Sequence, residues 1–83
     1  MSGIDYSKLR SLTARRVMRA LIKDGFVLDR SEGSHFHYLH PDGRRVTVIH
    51  HGAGTFKLPT LKSMIERQAK WTLEDLRRLK LVK

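Results

Sequence analysis

The sequence contains no cysteine. Disulfides and thiolate metal sites are therefore excluded, and hydrophobic packing has to stabilise the fold. The chain also lacks any apolar run near the ~18 residues that a membrane-spanning helix needs, and residues 1–5 lack the basic and then apolar start of a signal peptide. We expect a soluble protein of the cytoplasm with no membrane partner.

Acidic residues are scarce, since 17 Lys and Arg face only 8 Asp and Glu and give a formal net charge of +9. A small domain with this excess attracts polyanions, because neutralised phosphates release condensed counterions. Nucleic acid is therefore the expected partner, and a solvated basic surface without a function is the alternative. An anionic membrane is disfavoured because the basic residues are spread over every segment.

A chain of 83 residues predicts one domain, residues 1–83, whose elements share one core. Thr13 is a suitable N-cap for a first helix that runs to about Asp24, and Gly25 suits its left-handed end. Helical spacing predicts a buried stripe on this helix: Val17, Met18, Leu21 and Ile22.

Three strands are predicted next, at residues 26–31, 34–40 and 44–49. Glu32 and Gly33 form the first connection, and the triplet 41–43 (Pro-Asp-Gly) is a turn, because proline presets φ and glycine accepts a positive φ. Short connections of this kind predict an antiparallel meander. Residues 50–57 are predicted to be a loop.

A second helix is predicted to begin near Pro59. Its buried stripe follows the helical period: Leu61, Met64, Ile65, Gln68 and Ala69. Thr72 and Asp75 have the spacing of a capping box at the start of a short C-terminal helical extension. The expected fold class is α+β, with a three-stranded antiparallel sheet, two helices on one face and the other face open to solvent.

The second strand carries the residues with most chemistry, in the segment 33–38 (Gly-Ser-His-Phe-His-Tyr). Side chains alternate along a strand, so His35 and His37 share one face, whereas Phe36 and Tyr38 face the core. Imidazole takes and gives protons near neutral pH. His35 is therefore a candidate general acid or base, and His37 is either its complementary proton carrier or an exposed residue that contacts phosphate.

Basic residues flank this strand and the second helix. Arg30, Arg44 and Arg45 either hold a phosphate or solvate the edges of the sheet. Lys57 and Lys62, near the start of the second helix, are candidates for contacts with backbone phosphates. A zinc site built from histidines, with a contribution from the pair at positions 50 and 51, is disfavoured because no cysteine or suitably spaced carboxylate completes it. No metal and no small-molecule cofactor is expected.

Several segments together resemble the HicA toxin family of bacterial toxin–antitoxin systems. They are 24–26 (Asp-Gly-Phe), 33–35 (Gly-Ser-His), 38–43 (Tyr-Leu-His-Pro-Asp-Gly), 46–48 (Val-Thr-Val), His51 and 60–69, in register from about residue 13 to 76. The sequence departs from the family at 49–51, where a proline usually precedes the histidine, and at Pro59, where a glycine is usual.

The resemblance implies a double-stranded-RNA-binding-like fold and an mRNA interferase that an HicB-type antitoxin inhibits. It assigns the active histidine to His35 and implies cleavage of RNA without a metal ion. A small RNA-binding module without catalysis is the alternative function.

Overall fold

The computed structural model describes residues 3–50 and 54–83. Its helices and strands follow the predicted order: a 3₁₀ turn Tyr6–Leu9, α1 Ala14–Lys23, β1 Val27–Glu32, β2 His35–Leu39, β3 Arg45–Ile49, α2 Leu58–Lys62 continued by a π-helical segment Ser63–Gln68, and α3 Leu73–Arg78. This is the α-β-β-β-α order of a double-stranded-RNA-binding-like α+β fold. None of the helices in the described ranges is long and apolar enough to cross a membrane.

Helix α1 begins and ends where its sequence predicts. The Thr13 side chain accepts the backbone N–H of Arg16 at 3.3 Å, and Gly25 ends the helix with a φ of +105°. The prediction that Ile22 is buried is wrong, because Ile22 is 54% exposed. The buried stripe of α1 is narrow and centres on Val17 and Leu21, so the side chain of Ile22 lies beyond its edge and faces solvent.

The three strands form one antiparallel sheet in the order β1-β2-β3. Tyr38 pairs with Val46 and Phe36 pairs with Val48. Tyr38, Val46 and Val48 are buried against the helices, and Phe36 packs at the margin of the same core. The side chains of the opposite face are therefore directed away from the helices, as the alternation along the strands predicts.

Strand β1 differs from its predicted bounds. Phe26 lies in the core, 2% exposed, and its N–H bonds to the carbonyl of Leu21 at 2.9 Å, so it belongs to the end of α1. The pairing with β2 then slips between Leu28 and Arg30, which leaves Asp29 as a bulge.

Gln68 is half-buried rather than buried. Its side-chain oxygen accepts the backbone N–H of Thr47 at 2.9 Å. Because β3 is an edge strand, this N–H has no strand partner on that side, and the amide of Gln68 satisfies it. The hydrogen bond from Thr47 to Gln68 thus joins the β3 edge of the sheet to the helical layer.

The predicted capping box of α3 is confirmed. The Thr72 hydroxyl accepts the N–H of Asp75 at 3.2 Å, and the Asp75 carboxylate accepts the N–H of Thr72 at 2.9 Å. The cap fixes the start of a helix that places Leu76 in the core with the nearby Leu79 and Leu81.

Thr72→Ala is expected to lower the free energy of unfolding by about 1 kcal/mol, because one orphan N–H of α3 loses its acceptor. Urea denaturation of the full chain measures this loss. Thr72→Ser keeps the hydroxyl and should retain most of the stability. Equal losses in both variants would contradict the capping role.

Candidate active site on the open sheet face

The sheet face opposite the buried Tyr38 carries six polar and three apolar side chains in three rows across the strands. We call it the open face, and the register defines its rows: Val27, Leu39 and Arg45; Arg30, His37 and Thr47; Glu32, His35 and Ile49. The rows bring four of the predicted site residues together on one surface: Arg30, His35, His37 and Arg45.

His35 opens β2 and is exposed. The preceding turn depends on Gly33, whose φ of +60° lies in the left-handed region that other residues adopt less readily. The carbonyl of Ser34 accepts the N–H of His50 at 2.8 Å, which ties the start of β2 to the end of β3. The backbone beside His35 is therefore fixed while its ring stays accessible.

His37 is held more closely, and its side chain is only 27% exposed. Its Nδ1 lies 3.0 Å from Thr47 Oγ1, and its Nε2 lies 3.4 Å from a carboxylate oxygen of Glu32. When Nε2–H donates to Glu32, Nδ1 is free to accept the hydroxyl of Thr47. The two contacts fix the plane of the ring from both sides.

The sequence alone indicates neither partner of His37. Glu32 is predicted to lie in the first connection, yet it ends β1, and its carboxylate also pairs with Arg30 Nε at 3.1 Å. Thr47 lies on the side of β3 opposite the buried Val46 and Val48. The signal that could have linked Thr47 to His37 is the register of the meander, since the two residues are direct partners.

A cavity of about 340 Å³ lies beside His37, with Arg30 on one side and Arg45 on the other. Arg45 forms no ion pair within residues 3–50 and 54–83, so its guanidinium is available. His35 does not line this cavity and lies in the next row of the open face. Two guanidinium groups that flank an imidazole match the charge and hydrogen-bonding needs of a phosphodiester.

Arg44 lies away from the open face. Its guanidinium donates to Asp42 at 2.7 Å and to the carbonyl of Ala69 at 2.6 Å, and it pairs with Asp24 at 3.2 Å. The same group lies 4.9 Å from the ring centre of Phe26. Because neighbouring residues of a strand point to opposite faces, Arg45 and Arg44 cannot both reach the open face.

Lys57 and Lys62 lie at the two ends of α2, outside the open face. Lys57 is exposed, whereas Lys62 Nζ lies 5.6 Å from the ring centre of Tyr6. Burial raises the pKa of Tyr6, and its hydrogen bond to Glu66 raises it further. Lys62 also borders a cavity of about 510 Å³ with Arg67.

Two further histidines, His40 and His50, do not join His35. Nε2 of His40 lies 2.9 Å from the carbonyl oxygen of Asp24, at the end of α1. The ring of His50 lies 6.2 Å from that of Phe36, on the helix-covered side, and its Nδ1 is buried without a hydrogen-bond partner among the described residues. His51 lies outside the described residues, as do Gly52 and Ala53. Within the described ranges no three His, Asp or Glu side chains cluster as metal ligands would.

Comparison with known families gives one match that bears on this surface. A model of the family described as the HicA toxin of bacterial toxin–antitoxin systems matches residues 14–71, more than two thirds of the chain. The matched range contains every residue of the open face and ends just before α3. A search of curated proteins found no match.

Proposed function

Since this chain belongs to the HicA toxin family of bacterial toxin–antitoxin systems, we propose that it is a toxin that acts as an endoribonuclease on its open face. One observation carries the proposal. His35 and His37 lie two residues apart on the open face of β2, and Arg30 and Arg45 flank His37. The substrate we propose is messenger RNA in the cytoplasm.

The reaction uses the 2′-hydroxyl of RNA as the nucleophile. One imidazole removes its proton, the oxygen attacks the adjacent phosphorus, and the other imidazole protonates the departing 5′-oxygen. For His37 this step requires that the RNA displaces the exposed Glu32 carboxylate, which lies 3.4 Å from Nε2. The products are a 2′,3′-cyclic phosphate and a 5′-hydroxyl. Two residues along a strand are separated by roughly 6.6 Å, so a phosphate fits between the rings of His35 and His37. Arg30 and Arg45 stabilise the negative charge that develops on the phosphorane.

Cleavage of single-stranded RNA by the purified chain in the presence of EDTA tests this function. We expect fragments with a 2′,3′-cyclic phosphate end, and growth arrest when the chain is expressed in bacteria. RNA that is bound but stays intact would instead favour the RNA-binding module without catalysis. Cleavage that EDTA abolishes would contradict the metal-independent mechanism.

An HicB-type antitoxin is the proposed protein partner. A partner that covers the open face would bury His35 and exclude RNA sterically, and the +9 charge of the chain favours an acidic contact surface on that partner. Lys57 and Lys62 are proposed to contact phosphates that flank the cleaved bond. Arg44 is left out of the proposed RNA-contacting set because its guanidinium is engaged by Asp24, Asp42 and Ala69.

His37→Gln is expected to lower kcat for RNA cleavage about 100-fold with little change in KM. The amide keeps hydrogen-bonding capacity toward Thr47 and Glu32 but neither takes up nor releases a proton near neutral pH. Single-turnover and steady-state kinetics on one RNA substrate separate the two constants. A higher KM with an unchanged kcat would assign His37 to phosphate binding instead.

A further inference from the structure

A second basic surface lies on the helical side of the molecule. A cavity of about 680 Å³ is lined there by four basic residues and two apolar residues: Lys8, Arg16, Lys80, Lys83, Leu81 and Val82. We call it the rear pocket. Lys8, Lys80 and the residues after it lie outside the range that the family model matches, so the pocket is a feature of this chain that the family assignment does not supply.

The end of α3 builds the rear pocket. Lys80 N–H bonds to the carbonyl of Arg77 at 3.0 Å and Leu81 N–H to that of Leu76 at 2.9 Å, the two bonds of a Schellman motif. Leu81 is thereby anchored in the core, 7% exposed. Arg16 on α1 donates to the carbonyl of Lys80 at 3.5 Å. Lys8, in the 3₁₀ turn, lines the pocket as well, so three segments of the chain contribute to it.

No ion pair among the described residues engages the basic side chains of the rear pocket. In the described part of the chain, the Lys and Arg side chains that form ion pairs are Arg30, Arg44 and Arg78, and none of these lines the pocket. Helix α1 carries no acidic residue. The exposed carboxylate of Asp5 accepts the N–H and hydroxyl of Ser7 at 3.0 and 2.6 Å. These hydrogen bonds and, to a smaller extent, the charge of Lys8 lower the pKa of Asp5, so Asp5 offsets part of the charge of Lys8. Like charges held together this way attract an anion.

Lys80 occupies a backbone conformation that favours glycine. Its φ is +59°, and the position after a helix in a Schellman motif is most often glycine because a Cβ is strained there. A lysine at this position keeps a charge at the expense of stability. Lys70 has nearly the same conformation, with a φ of +56°, but does not line the rear pocket.

We propose that the rear pocket binds the phosphate backbone of RNA at a segment other than the one being cleaved. The inference rests on the proposed RNA substrate and adds a second contact region on the helical side of the sheet. The planar guanidinium of Arg16 suits a phosphate, and the apolar side chains of Leu81 and Val82 offer a surface for the attached ribose or base.

RNA affinity measured by fluorescence anisotropy, in a His35→Ala background that prevents cutting, tests the pocket. Lys80→Gly should weaken binding about two- to fivefold and make the dependence of log K on log salt shallower by about 0.7. The same substitution should leave Tm unchanged or higher, because strain is relieved. Lys8→Gln combined with Lys80→Gly should make the slope shallower by about 1.4.

Lys70→Gly is the matched control, since it removes the same charge from the same backbone conformation. We expect its RNA affinity and salt slope to stay close to those of the parent protein. Equal losses for Lys70→Gly and Lys80→Gly would overturn the proposal in favour of a diffuse charge effect. A Lys80→Gly variant that binds RNA normally but loses an acidic protein partner would overturn it in favour of a protein contact.

The experiments can contradict the proposed nuclease function and the proposed role of the rear pocket independently. Wild-type protein that leaves RNA intact, while RNA affinity still depends on Lys80, contradicts the nuclease and supports the pocket. Wild-type protein that cleaves RNA, with affinity unaffected at Lys80, contradicts the pocket and supports the nuclease.

Discussion

His35→Ala is expected to lower the rate of RNA cleavage by about 100- to 10,000-fold, the contribution that a positioned general acid or base makes. The methyl side chain cannot carry a proton, so one of the two transfers in the reaction falls to water. The rate should be measured under single-turnover conditions with saturating protein. Expression of the variant in bacteria should no longer arrest growth.

The variant should fold and bind RNA like the wild type, because His35 is exposed and its side chain makes no hydrogen bond among the described residues. His50→Ala is the matched control, since His50 lies near the same end of the sheet but beside Phe36. A cleavage rate that His50→Ala lowers and His35→Ala does not would contradict the proposed mechanism.

The part of the site that depends on strand periodicity could be predicted from the sequence. With a period of two, any strand that buries Tyr38 must direct His35 and His37 to the other face. The tight turn at 41–43 makes the next strand fold back beside β2, so the antiparallel meander could be predicted as well. The structure confirms both the meander and the separation of its two faces.

The part of the site that depends on register and packing could not be predicted. Phe26 is retained in the core and Asp29 bulges from β1, and this bulge determines which residues of β1 lie opposite His37. Glu32 and Arg30 become neighbours of His37 only through that shift. Local propensity contains no information about such a shift, because it follows from the competition between strand pairing and burial.

The same limit applies to the buried polar network around Asp24. Trp71 Nε1–H donates to the Asp24 carboxylate at 2.9 Å, Arg44 pairs with it at 3.2 Å, and Arg78 pairs with it as well. The Asp24 side chain is only 5% exposed. The partners lie 20 to 54 residues further along the chain, so no sequence pattern indicated them. The network joins α1, the turn before β3 and α3.

Asp24→Asn is expected to lower the free energy of unfolding at neutral pH by about 2 kcal/mol, because the nearly buried carboxylate loses its charge-assisted hydrogen bonds. Arg44 and Arg78 each lose one of two carboxylate partners, since Asp42 still pairs with Arg44 and Asp75 still pairs with Arg78. Urea denaturation of wild type and variant measures the difference. Asp29→Asn, an exposed carboxyl without an ion pair among the described residues, should change the stability by less than about 0.5 kcal/mol.

The difference between wild type and Asp24→Asn should disappear in acid. Burial by itself raises the pKa of Asp24, but the hydrogen bonds from Trp71 and Arg78 and the charges of Arg78 and Arg44 outweigh it, so the pKa lies below that of an ordinary aspartate. The stabilisation is therefore complete above the unfolded pKa and is lost as the pH falls through the lower folded pKa. Denaturation curves at intervals from pH 7 to about pH 2 test this. A difference between the two proteins that persists at the acid end would show that it does not arise from the charge of Asp24.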